Sequence, residues 1–534
     1  MLNISYFLNN VSKQTSINND DLMILDHLDN NRRTINIKAL KNIKLTNGKI
    51  KLDIVLNDDD LYFFNGYQSW TDTKEATIKD KEKNVKKIPS LLNKMFAFDR
   101  YGDTLFYDYH KTKLHGYDVF YIKGKNELFS FNYNYDQAYL VYELNKKEKT
   151  LSLISDVNGI SLKENEDFKI FDYSLFSSIK DGLNDLYSLF PLKQTKKIFG
   201  YTSWYNYYQN INEEIILRDL ESLDSRFNLF QIDDGYETFV GDWLDVDQNK
   251  FPNGLKGIVE KIHNKGYLAG IWLAPFVAEE KSKLFSEHKE LFKMENGEYV
   301  KCGANWSGFY ALDLENEDAK KYIKKCLDYY KDLGFDFYKL DFLYGANLPL
   351  YENKTRAMAA KDAYEFLREV LEDKLVLGCG AVISNSINRF DYLRVGPDVS
   401  LIFDDVWFMK YMHRERISTK LTLQNTIYRS IFNNHFFLND PDVFLLREDN
   451  IKLSNEQKKA LVIINSLFGS VLMTSDNISD YGIEQNALLE EAFDLFYNSK
   501  DVKFVKNGKY INIEYTLNDK HHNLKYNTLK GVME

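Results

Sequence analysis

The stretch FNLFQIDDGY (227–236), followed by the helix-like LKGIVEKIHNKG (255–266) and then by LAGIWLAPF (268–276), sets the grammar for about half of this 534-residue chain. A short apolar run ends on polar residues, an amphipathic stretch follows, and another short apolar run begins. Upstream the unit reads IFGYTSW (198–204) with EEIILRDLESLD (213–224). Downstream it repeats through DFYKLDFLYG (336–345), LVLGCGA (375–381), DYLRVGPD (391–398), HFFLNDPD (435–442) and SVLMTSD (470–476). Helix-like segments such as DAKKYIKKCLDYYKDLG (318–334), RAMAAKDAYEFLREVLED (356–373) and SNEQKKALVIINSLFG (454–469) lie between them. Eight such units over 196–476 predict a (β/α)8 barrel; they fill about 280 residues, against roughly 250 typical of that fold. A doubly wound sheet is the competing fold, but no Gly-rich dinucleotide or phosphate loop follows the first strand.

Before the barrel the period changes. From about residue 30 to 175 apolar and polar residues alternate between turn signals, as in INIKALKNIKLTNGKIKLDIVL (35–56), where Asn47-Gly48 reads as a turn between two strands. This predicts an N-terminal antiparallel β-sandwich over 1–178. A linker helix is expected over 179–195, ending near Pro191. The tail 477–534 alternates in FVKNGKYINIEYTLNDKHHNLKYNTLKG (504–531) and reads as a small C-terminal β region.

Composition excludes several classes. Hydrophobic residues at 44% and charged residues at 28% suit a soluble globular protein and rule out collagen-like or wholly disordered chains. The net charge of −10, without a dense basic stripe, argues against nucleic acid or an anionic membrane as partner. No leader pattern opens the sequence and no apolar run reaches the roughly 18 residues of a membrane span, so a cytoplasmic protein is expected. The cysteines Cys302, Cys326 and Cys379 show no paired spacing, against a disulfide framework or zinc site. Tyr and Phe number 37 each, a bias that an A/T-rich genome produces, so aromatics carry meaning only where they cluster with polar groups.

In a barrel of this kind the site lies at the C-terminal ends of the strands. Those ends carry Trp204, Asp233 with Asp234, Trp272, Lys339 with Asp341, Cys379, Arg394 with Asp398, Asp440 with Asp442, and Asp476. Asp442 and Asp476 stand in turn-like contexts and read as helix caps. Asp341 does not: it sits in an apolar strand between Leu340 and Phe342, with Lys339 two residues earlier on the same side, and a carboxylate there needs a partner or a task. No strand end offers a His-x-His pair and no His-Glu-x-x-His occurs, which removes the ligands for zinc or iron; no metal or other cofactor is expected, with a carboxylate-only magnesium site as the open alternative. No Gly-x-Ser-x-Gly elbow is present, and a Schiff base on Lys339 remains a competitor. Paired carboxylates among aromatic walls, here Trp204, Tyr205, Trp243 and Trp272, suit a sugar, whose C–H faces lie on rings while acids cleave the glycosidic bond.

At these residues the sequence resembles the α-galactosidases of glycoside hydrolase family 36, the short bacterial melibiases. The resemblance rests on GYQSW (66–70), TSWYNYY (202–208), FQIDDGYE (230–237), GDWL (241–244), GIWLAPF (270–276), FYALDL (309–314), FYKLDFLYG (337–345), LGCG (377–380), LRVGPD (393–398) and FFLNDPDVFLLR (436–447). It implies a β-supersandwich, a catalytic TIM barrel and a small C-terminal β domain. It implies Asp341 as nucleophile and Asp398 as acid/base of a retaining exo-glycosidase acting on small galacto-oligosaccharides of the melibiose and raffinose kind. Asp233 and Asp234 would hold the 4- and 6-hydroxyls, and Lys339 the 3- and 4-hydroxyls. Cys379, with Gly380 beside it, and Arg394 would lie near the 2-hydroxyl, so the Arg394 guanidinium is expected to face the sugar. Trp272 would wall the pocket, with Trp204 and Trp243 beside it, and Trp70 would be lent by the N-terminal domain. An α-N-acetylgalactosaminidase, a galactosyl transferase or a non-catalytic sugar-binding protein are the alternatives on this scaffold, and a homo-oligomer is compatible with the family.

Overall fold

The computed structural model describes residues 1–80, 89–157, 159–191, 196–404 and 414–534. The alternating N-terminal sequence folds into antiparallel sheets. Leu2–Leu8, Val11–Thr15, Ile43–Lys51, Lys113–Tyr117, Tyr139–Asn145, Thr150–Asp156 and Ser161–Leu162 form a seven-stranded sheet. Leu22–Asp29, Arg32–Ala39 and Asp167–Ser174 form a three-stranded one, and Leu61–Phe64, Lys74–Ala76, Val119–Lys123 and Leu128–Phe131 a four-stranded one. Their inward residues, among them Tyr6, Leu45, Ile37, Phe171 and Phe64, share one buried apolar cluster. Tight turns fall on asparagines at positive φ, Asn9 at 50°, Asn10 at 63° and Asn30 at 51°, a conformation that residue tolerates. Asn47-Gly48 is not such a turn. It lies inside Ile43–Lys51, where the pairing with Leu2–Leu8 skips a residue. A Cβ on Gly48 would stand 2.7 Å from Ile170, so the glycine serves close packing between sheets.

The eight apolar runs become the barrel strands β1 (Ile198–Thr202), β2 (Leu229–Ile232), β3 (Leu268–Leu273), β4 (Phe337–Leu340), β5 (Leu375–Gly378), β6 (Tyr392–Arg394), β7 and β8 (Val471–Thr474). Strand β7 comes in two pieces: Leu438–Asp440 pairs with β6 and Val443–Phe444 pairs with β8. The parallel sheet therefore begins and ends on one broken strand, which closes it. Around it lie α1 (Glu213–Ser222), α2 (Lys256–Asn264), α3 (Glu317–Asp332), α4 (Arg356–Leu371), α5 (Thr419–Tyr428), α6 (Asn455–Phe468) and α7 (Ile483–Asn498). Asn212, Asn316, Thr355, Ser418 and Ser454 cap five of these with side-chain oxygens. Within 477–534, where alternation predicts strands, the chain first makes α7, burying Leu489, Ala492, Leu495 and Phe496. Four antiparallel strands, Lys500–Asn507, Tyr510–Leu517, Lys520–Asn527 and Val532–Met533, follow it. A helix also spans Ile179–Leu189, its start capped by Ser178. Among the described residues no helix is long and apolar enough to cross a membrane.

One side chain ties the N-terminal region to the barrel mouth. Arg429, just past α5 and fully buried, donates from Nη1 to the carbonyls of Ser69 at 2.5 Å and Val395 at 2.7 Å. Its Nη2 reaches the carbonyls of Gly66, Gln68 and Thr71 at 3.2, 3.0 and 3.2 Å, and Nε reaches Asn65 Oδ1 at 3.2 Å. Asn425 on α5 takes Thr73 N at 2.8 Å, and Ser69 N donates to Ala381 O at 2.9 Å. The loop carrying Trp70 is thereby fastened over the ends of β5 and β6. Replacing Arg429 by Leu strips these carbonyls of their donor and should cost about 3 kcal/mol or more. A lowered thermal midpoint with new proteolytic cleavage within 65–73 checks this; an unchanged midpoint and cleavage pattern would show that the loop is held otherwise.

Candidate active site

The C-terminal ends of the strands open on a cavity of about 390 Å³. Asp341, one residue beyond β4, and Asp398, in the turn after β6, both face it, together with Asp233, Asp234, Lys339 and Trp272. Trp204 and Trp70 line it too, Trp70 from the N-terminal loop. A larger groove of about 480 Å³ runs over the outer faces of α3 and α4. It is lined by mixed surface charges such as Lys320, Lys324, Glu365 and Glu369 and collects no convergent buried groups, so the mouth cavity is the site.

The chain turns sharply at Asp341. Its N–H donates to Leu273 O on β3 at 2.8 Å, and Phe342 then takes a positive φ of 52°, a strained choice for an aromatic residue. That bend sends Phe342 N back to Asp341 Oδ1 at 2.7 Å, while Trp272 Nε1 donates to Oδ2 at 3.1 Å. Burial raises the Asp341 carboxyl above its ordinary value, as does nearby Asp398, against the pull of Lys339 and the donors Cys379 and Trp272.

Lys339 itself points to Asp233, with Nζ 2.8 Å from Oδ2. Gln231 Nε2 at 2.7 Å and Thr202 Oγ1 at 3.0 Å share that oxygen. Asp233 and the other acids hold the ammonium far above its ordinary range despite burial, the opposite of what a Schiff-base lysine needs. Asp234 accepts from Gln209 Nε2 at 3.0 Å and Trp306 Nε1 at 2.9 Å. Burial raises its carboxyl, and Glu237 beside it is pushed well up by burial and by Asp234. The two aspartates thus present fixed acceptors side by side, one backed by a cation and one by two N–H donors.

Five expected contacts do not reach the cavity. Arg394 is buried and does not face a ligand: Nε meets Asp440 at 3.0 Å, Nη2 meets Asp442 at 2.7 Å, and Nη1 meets Asp398 at 2.9 Å. The guanidinium is turned inward because three carboxylates occupy it. Trp243 is buried edge-on behind Trp272 at 5.8 Å, and Tyr205 is buried with its hydroxyl on Asp442. Cys379 is buried beneath Asp341. Gly380, at φ 56°, makes room for Trp70, since a Cβ there would lie 3.0 Å from that indole. Asp442 and Asp476 are not helix caps either. Asp476 binds Arg447 Nη1 at 2.8 Å, Leu446 N at 2.6 Å and Tyr481 Oη at 2.7 Å, joining β8 to the chain after β7.

Other lining residues escaped the sequence reading. Trp306 lies in GANWSGF, a polar loop outside the strand ends, where only the rarity of tryptophan offered a signal. Trp70 Nε1 is buried at the wall without a hydrogen-bond partner. Phe98, Tyr101 and Asn305 close one side of the mouth, and Glu415, held by Thr71 Oγ1 at 2.8 Å, closes another. Among the described residues no group of three or more His, Cys, Asp or Glu is arranged to hold a metal ion.

Residues 192–378 match the family model described as Melibiase. The α-xylosidase XylQ of Lactiplantibacillus pentosus is 28% identical over 166 residues, 29% of this chain and 21% of its own length. Alpha-galactosidase 1 of Pediococcus pentosaceus is 32% identical over 121 residues, 21% of this chain and 16% of its own. The alignment therefore spans only about a fifth of these curated relatives. Among solved structures, the α-galactosidase TtGalA from Thermus thermophilus, in complex with p-nitrophenyl α-D-galactopyranoside, has the same fold: TM-score 0.71, 23% identity, 94% of this chain and 98% of that one.

Lys339 is the charge on which the floor of the cavity depends. Lys339→Met leaves Asp233 buried with amide and hydroxyl donors but no cation, and should cost about 3 kcal/mol. Urea unfolding compared with the wild type reads this directly; a loss below about 1 kcal/mol would mean that the pair is dispensable to the fold.

Proposed function

We propose that this chain, related to the melibiases through its barrel, is a retaining exo-α-galactosidase that removes terminal galactose from small oligosaccharides. The observation that carries this reading is the shared cavity of Asp341 and Asp398, with Asp233 and Asp234 fixed as adjacent acceptors on its floor. Two neighbouring carboxylates select a ring that offers two hydroxyls from one side, and Trp272 and Trp306 supply apolar walls for its C–H faces. A cavity of this size at the barrel mouth suits one terminal sugar unit. In the cytoplasm such an enzyme would act on imported di- and trisaccharides.

In this mechanism Asp341 attacks the anomeric carbon while Asp398 passes a proton to the glycosidic oxygen, and the C1–O bond breaks. Asp398, now a carboxylate, takes a proton from water as that water attacks C1 and releases Asp341. With Arg394 on Asp398 Oδ1, the proton is carried on Oδ2. Trp272 Nε1 and Phe342 N hold the two Asp341 oxygens in place, and Trp70 Nε1 is available as a further donor. Arg394 acts on Asp398 and not on the sugar.

Chromogenic α-galactoside should be cleaved far faster than the α-glucoside, α-xyloside or α-N-acetylgalactosaminide, with α-galactose as the first-formed anomer by proton NMR. Preference for another of these glycosides, or first release of the β-anomer, would overturn the sugar or the stereochemistry respectively. Asp341→Ala should lower turnover by a factor on the order of 10⁴ or more with the fold intact. Near wild-type rates in that variant would end its assignment as nucleophile.

A further inference from the structure

The break in β7 at Asp440-Pro441-Asp442 falls beside Asp398, although none of its residues lines the cavity. Asp442 adopts φ 78°, and its own N–H donates to Asp440 Oδ1 at 2.8 Å. Its Oδ2 accepts from Val399 N, the residue after Asp398, at 2.7 Å and from the Tyr205 hydroxyl at 2.5 Å. Its Oδ1 lies 2.7 Å from Arg394 Nη2, while Asp440 takes Arg394 Nε at 3.0 Å. Only Nη1 is left for Asp398, at 2.9 Å. One buried side chain therefore anchors both the backbone next to Asp398 and the cation that grips its carboxylate.

We propose that Asp442 is a positioning residue for the acid/base, fixing Asp398 through Val399 and Arg394 and, by competing for the guanidinium, leaving Asp398 free to hold and release its proton. This rests on the reading of Asp398 as acid/base. Three carboxylates around one guanidinium would carry a net charge of −2 if all were ionised, so the cluster favours keeping one proton. The groups acting on Asp442 are Arg394 on β6, Asp398 after it, Asp440 on β7 and Tyr205 after β1; Ser475 at the end of β8 is neutral and accepts from Tyr205 N. Burial, with Asp398 and Asp440, raises Asp442 to about 7 against the pull of Arg394.

The test is Asp442→Asn, chosen because asparagine tolerates positive φ and keeps an acceptor for Val399 N. Rates are taken with a poor and a good leaving group on whichever α-glycoside the wild type hydrolyses, which separates an error in the sugar from an error here. The poor leaving group should lose on the order of 10²-fold and the good one less than about 5-fold. Equal losses for both leaving groups would make Asp442 merely structural and overturn the proposal, while the glycosidase reading stood. If the variant does not fold, Tyr205→Phe should give the same leaving-group bias at smaller scale, and equal losses there overturn the proposal as well. A wild type that hydrolyses no glycoside would sink both readings.

Discussion

A single buried guanidinium, that of Arg429, holds the two halves of the site together. It has no carboxylate in its hydrogen bonds; the carbonyls of Gly66, Gln68, Ser69 and Thr71 on one side and Val395 on the other take its protons. Burying that charge is costly unless every donor is used, and the cost is met only when loop and barrel are docked. Val395 follows Arg394, so the same contact that seats Trp70 over the pocket also braces the strand end bearing the Arg394–Asp398 pair. Pocket wall and acid group are thus set by one interaction.

Within the mouth, negative charge is managed by unequal pairing. Asp233 has Lys339, Asp234 has two N–H donors, and Asp398 shares Arg394 with Asp440 and Asp442. Asp341 has only neutral donors in direct contact, the Trp272 indole and the Phe342 amide among them. Among the mouth carboxylates its direct contacts compensate charge least, which suits the nucleophile role proposed for it. The neighbouring acids are spoken for and serve as acceptors or as braces.

Asp341 was legible because a carboxylate at the end of an apolar run, between Leu340 and Phe342, contradicts its surroundings, and that contradiction is local. The barrel was legible for a related reason: parallel strands buried on both faces must read as short apolar runs, each followed by a helix. Asn47-Gly48 misled, since the dipeptide that favours a hairpin also fits a bulge, and only the approach of Ile170 shows which. The helix α7 was hidden by the alternation of the strands after it. Trp306 was missed because it sits in a loop, where position relative to the cavity follows from loop conformation and not from periodicity.

Arg394 shows where sequence reading stops. Its place at the end of β6 follows from the strand pattern, but the direction of its guanidinium depends on Asp440 and Asp442, which reach it only when β7 breaks beside β6. Periodicity and turn chemistry act over a few residues and so can be read from the chain, which is why the eight strands and the residues at their ends were accessible. The partner of a buried charge is chosen among groups tens to hundreds of residues apart, as Arg429 and Gly66 are. Closure of the barrel and docking of the sandwich bring such groups within hydrogen-bond range, and desolvation then leaves each cation facing inward with the acceptors that satisfy it, carboxylates for Arg394 and carbonyls for Arg429.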